Sequence, residues 1–85
     1  MNDHSKRLLN RVISIIDENE QGEIDEEYLM SYVEGTNGAI EEREINEILE
    51  QFVIKIGNSL YLYDVEEGRI YLQKEIKLFK EKIEN

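Results

Sequence analysis

The chemistry this chain could offer lies in its oxygens. From Asp17 to Tyr28 it reads Asp-Glu-Asn-Glu-Gln-Gly-Glu-Ile-Asp-Glu-Glu-Tyr, with Asp17, Asn19 and Asp25 at the first, third and ninth positions, Gly22 at the sixth and Ile24 at the eighth. That spacing suits a loop folding oxygen ligands around calcium. The twelfth position, which should close the loop with a bidentate glutamate, is Tyr28, and the fifth is Gln21. No metal site is therefore expected. His4 is the single histidine, there is no cysteine, and no glycine-rich phosphate loop follows a strand-like run. Carboxylates close in sequence, such as Glu41, Glu42 and Glu44, read as a solvated helix start and not as a tuned acid and base. The expectation is a chain that is not an enzyme and carries no cofactor.

What remains is charge. The 85 residues carry a formal net charge of −10, with 40% hydrophobic and 35% charged residues, a composition that folds but repels polyanions. The excess is local: up to Ile16 the bases Lys6, Arg7 and Arg11 outweigh Asp3, from Asp17 to Glu50 thirteen acids face Arg43 alone, and from Gln51 onward six acids and six bases cancel. A chain this short supports a single domain with one small core, spanning 1–85. The absence of cysteine, of a long apolar run and of a leader pattern leads to the expectation of no membrane contact and an intracellular, cytoplasmic or nucleoid-associated location.

The elements follow from apolar spacing. Leu8, Leu9, Val12, Ile13 and Ile16 predict a first helix over 5–17, capped by Asp3 or Ser5, with Arg7, Asn10, Arg11 and Ser14 outward. Asp25 reads as the N-cap of a second helix, 25–34, with Glu26 and Glu27 suiting its first turn, Ile24 stapling onto Leu29 and Gly35 ending it. Thr36, Asn37 and Gly38 then turn into a third helix, 39–52. There Ile45, Ile48, Leu49, Phe52 and Val53 face inward and Arg43, Asn46, Glu47 and Glu50 face outward. Beyond it, Val53-Ile-Lys-Ile56 and Leu60-Tyr-Leu-Tyr63 flank Gly57-Asn58 and read as a β-hairpin over 53–56 and 60–64. For 65–73 two readings compete: a turn closed by Gly68 with a third strand at 69–73, or a capping box from Asp64 to Glu67 that begins the last helix early. In either case 74–84 is helical, with Leu72, Ile76, Phe79 and Ile83 forming a seam.

Three helices followed by a hairpin, with Gly22-Glu-Ile-Asp25 leading into the second helix and Ile54 to Tyr63 as a wing, resemble the winged helix-turn-helix family over Ser5 to Asp64. The implied fold is α+β: a small winged-helix-like domain of three helices, a β-hairpin or three-stranded meander, and a C-terminal helix. In that family the third helix usually enters the major groove, so the resemblance assigns that role to Arg43, Asn46, Glu47 and Glu50 and the wing tip to Gly57, Asn58 and Ser59. This face is acidic, whereas DNA binders show a basic footprint, so direct DNA binding is disfavoured. The Asp17 to Tyr28 stretch resembles an EF-hand loop, but EF-hands normally pair and no second loop follows.

The function expected is a non-catalytic, acidic protein-protein interaction module, an accessory subunit of a replication or transcription assembly. Its partner would be a basic protein surface, such as that of a nucleic-acid enzyme. Candidate contacts are Arg43, Asn46, Glu47 and Glu50, with Tyr61, Tyr63 and Tyr71 as apolar anchors. An alternative is a dimeric winged-helix DNA-binding regulator using Arg7 and Arg11, or Lys74, Lys77 and Lys80, as a basic strip and the last helix's seam as the dimer contact. A nucleic-acid mimic is a further alternative. Monomer and homodimer both remain open.

Overall fold

A computed structural model describes residues 2–19 and 25–84. Four helices account for nearly all of them: α1 (Asp3–Asn19), α2 (Glu26–Ala39), α3 (Arg43–Tyr61) and α4 (Val65–Glu84). Three-residue connections at 40–42 and 62–64 join α2, α3 and α4; Ser59 near the end of α3 meets Glu26 at the start of α2, and Glu44 at the start of α3 shares a groove with Lys82 near the end of α4, so the three run down, up and down. α3 packs on α2 and α4, and α1 closes the ring by touching α2 and α4.

Three of the four starts have a side-chain cap, and at α3 Glu42 makes none. The Ser5 amide donates to Asn2 Oδ1 at 2.8 Å, so Asn2 caps α1 in place of Asp3 or Ser5. Ser5 is instead buried, and its hydroxyl donates to the Glu42 carboxylate at the start of α3. Asp25 accepts from the Tyr28 amide at 3.1 Å and caps α2, with Glu26 and Glu27 in the first turn. Asp64 accepts from the Glu67 amide at 2.8 Å and starts α4. Of the two readings for 65–73, the early helix is the one that forms.

The hydrophobic face is continuous. Leu9, Val12 and Ile16 from α1, Leu29 and Val33 from α2, Ile45, Leu49, Phe52 and Ile56 from α3, and Leu72, Ile76 and Phe79 from α4 are buried together with Ile40. Phe52 and Phe79 stack at its centre, ring centroids 4.0 Å apart and 9° from parallel.

This architecture overturns the winged-helix reading and its α+β class: there is no strand among the described residues, and a winged helix requires a β-wing. The expected hairpin at 53–56 and 60–64 is the second half of α3 and the turn after it, and the expected third strand at 69–73 lies inside α4. The reason is packing. Ile45, Leu49, Phe52, Ile56 and Ser59 recur at helical spacing straight through the β-branched run, and all five are buried. Burying an Ile side chain contributes about 1.5–3 kcal/mol, which exceeds the roughly 1 kcal/mol that Gly57 costs inside a helix.

The expected turn at 36–38 is also helical. α2 continues through Gly35 and Gly38, neither at positive φ, and the break falls at Ile40, whose amide donates to the Asn37 carbonyl at 3.3 Å. Buried Thr36 is accommodated because its hydroxyl donates to the Tyr32 carbonyl one turn back, at 2.9 Å. The Gly22-Glu-Ile24 segment and the Ile24 staple fall on 20–24, outside the described residues; of the calcium-loop spacing, Asp17 and Asn19 lie in α1 and Asp25 caps α2.

Candidate functional site

Continuing α3 to Tyr61 changes what shares its outer stripe. At 100° per residue, Arg43, Glu47, Glu50, Ile54 and Tyr61 fall within about 60° of arc, opposite the buried Ile45, Leu49, Phe52 and Ile56. All five outer residues are exposed. Ile54 is 53% and Tyr61 74% exposed, and the turn that follows adds Leu62 at 69% and Val65 at 81%. One helix face therefore passes from charged residues near its start to large apolar ones near its end, about 10 Å separating Ile54 from Tyr61. Ile54 was missed in the sequence because the run around it alternates like a strand; extending the Arg43 periodicity past Phe52 would have found it.

Acidic residues also gather about the end of α3, on its buried side as well as after it. Glu26 Oε2 lies 3.3 Å from the Ser59 hydroxyl, which places the start of α2 beside the end of α3. Asp64, Glu66 and Glu67 follow directly after the exposed turn. Arg43 approaches Glu47 at 3.8 Å, with the two side chains 92% and 68% exposed. At that exposure the pair holds nothing in place, so both side chains are available to a partner.

The other expected site residues are dispersed. Asn46 is half-buried, and its Oδ1 is shielded without a hydrogen-bond partner among the described residues, so it faces the protein and not a ligand. Tyr63 stacks on Tyr71 at 4.8 Å, and the Tyr71 hydroxyl lies 3.4 Å from Asn58 Nδ2. These two rings brace the α3–α4 turn, with Tyr63 still 41% exposed, and Tyr61 is the most exposed of the three. Arg7 and Arg11 are exposed on α1 and Lys74 and Lys77 on α4, while Lys80 is taken up by Asp17 at 2.6 Å, tying α4 to α1. The expected basic strip is thus broken at Lys80, and the Leu72, Ile76 and Phe79 seam is packed inside the chain's own core.

Among the described residues no group of three or more His, Cys, Asp or Glu is disposed to hold a metal ion, and no helix is long and apolar enough to cross a membrane. Comparison with protein-family models, curated proteins and solved structures gives no match to the chain.

Proposed function

We propose that this protein is a non-catalytic docking module. Its outer α3 stripe would engage a basic protein surface, of the kind that nucleic-acid enzymes present in replication or transcription assemblies. The single observation that carries the reading is the juxtaposition on one face of Glu47 and Glu50 with exposed Ile54 and Tyr61. Large apolar side chains exposed along one face of a helix mark contact sites, and tyrosine is enriched among interface hot spots. Carboxylates beside them steer a cationic partner and reject polyanions.

The test is retention of source-lysate proteins on the immobilised chain, compared with Ile54→Asp and Tyr61→Ala. The wild type should hold a stoichiometric basic protein at low salt that rising salt weakens and either substitution releases. Ile54→Asp keeps the negative charge while removing the anchor, so release by it separates apolar docking from electrostatic mimicry of a nucleic acid. Retention that ignores both substitutions, or no retained protein at low salt, would defeat the proposal.

A further inference from the structure

A second surface lies about 100° round α3 from the docking stripe. A groove of about 600 Å³ is floored by Leu9, Ile45, Ile48 and Ile83, with Glu44 and Lys82 among its rim residues. At Ile48 and Lys82 it meets a second depression that continues past Phe52, Leu78 and Phe79 to Lys55 and Glu75. The combined groove follows α3 and α4 for about 15 Å, the rise of α3 from Ile45 to Lys55.

Glu42 and Arg43 on its rim cancel one another, and the four remaining charges alternate in both directions. α3 carries Glu44 at one end and Lys55 three turns later, and antiparallel α4 sets Lys82 at the Glu44 end and Glu75 at the Lys55 end. A checkerboard of this kind is its own complement. When a second copy is turned by a two-fold rotation and laid face to face, each carboxylate meets an ammonium, whether the axis crosses the groove or runs along it. The chain as a whole carries −10, so most of its faces repel a second copy, whereas these four residues sum to zero. Leu78, 41% exposed in the middle of the groove, and half-buried Ile48 provide apolar surface to withdraw from water on contact.

We propose that the chain forms a two-fold homodimer through the α3–α4 groove, paired by Glu44, Lys55, Glu75 and Lys82 around Leu78. The dimer takes in Arg43 at the start of each stripe but leaves Ile54 and Tyr61 free, so it neither requires nor excludes the docking function.

Sedimentation equilibrium of the full chain at low salt tests the proposal. It should give a weight-average mass of at least about 1.5 times that of the chain at about 1 mM, a concentration at which even a millimolar contact is half formed, and dissociation on dilution. Leu78→Asp, at an exposed position, should raise the dimer Kd about tenfold or more while circular dichroism shows unchanged helicity. Lys55→Glu should weaken the dimer as well. A second reversal in the same chain should restore it: Glu44→Lys if the axis crosses the groove, Glu75→Lys if it runs along it. A chain that keeps single mass at the highest concentration overturns the proposal. So does a dimer indifferent to both Leu78→Asp and Lys55→Glu, or a groove protected only when a different protein is added. Ile54→Asp should leave the mass unaltered, which keeps this result separable from the docking test.

Discussion

Replacing Gly68 with alanine should destabilise the protein, against the helix propensity of the two residues. Gly68 lies in the first turn of α4, buried against the last turn of α3. A Cβ built there would stand 2.4 Å from the Ser59 carbonyl oxygen, where contacts under 3.0 Å are essentially never seen, and 3.7 Å from Tyr63 Cβ. The obstacle is backbone, so the two helices must part by about 0.6 Å or more, next to the Tyr63 and Tyr71 stack. In an unobstructed helix, Gly→Ala gains about 1 kcal/mol. Overpacking costs about 1–3 kcal/mol, and a clash with backbone falls in the upper part of that range, about 2–3, so the expected net loss is about 1–2 kcal/mol. For a domain of this size that lowers Tm by about 5–15 °C. The comparison is internal: Gly35 and Gly38 have nothing within 4 Å and do not have positive φ, and Gly57 would meet only Met30 Sδ at an ordinary 3.9 Å. Gly35→Ala and Gly38→Ala should each stabilise by about 0.5–1 kcal/mol. Urea unfolding of these variants, followed by far-ultraviolet circular dichroism, reads the sign directly. If Gly68→Ala is as stable as the parent or more so, the close α3–α4 crossing described above is wrong.

Two further predictions concern the elements that hold the stripe and the groove in place. Asp64→Ala removes the acceptor of the Glu67 amide and should lower stability by about 1 kcal/mol, with Asp64→Asn restoring most of it; Asp25→Ala at the start of α2 should behave alike in the same unfolding assay. Phe52→Leu and Phe79→Leu should each destabilise by about 1–3 kcal/mol. The double variant should show a coupling of about 0.5–1.5 kcal/mol from the lost stack, and strict additivity would argue against the ring contact.

The sequence by itself determined the inward faces and much of the capping. Leu9, Val12 and Ile16, Leu29 and Val33, Ile45, Leu49 and Phe52, and Leu72, Ile76 and Phe79 were all legible from spacing and are all buried, and Asp25 caps as its position implied. Arg43, Glu47 and Glu50 were legible as outward residues for the same reason, whereas Asn46, expected outward, is half-buried and Tyr61 was expected on a strand. What the tertiary structure alone decided is the stretch from Val53 to Gln73. There β-branched residues, Gly57-Asn58 and Gly68 satisfy hairpin chemistry locally, while Phe52, Ile56 and Ser59, then Gly68 and Leu72, satisfy a helix globally. Local preference between the two differs by about 1 kcal/mol. The deciding energy comes from burying Ile56 against the other helices and from Gly68 letting the α4 backbone pass Ser59. That contribution exists only once α3 and α4 lie side by side. The same choice carried Ile54 from a supposed wing to the α3 stripe and opened the groove lined by Ile48 and Leu78, so both proposed surfaces depend on packing between residues distant in the chain.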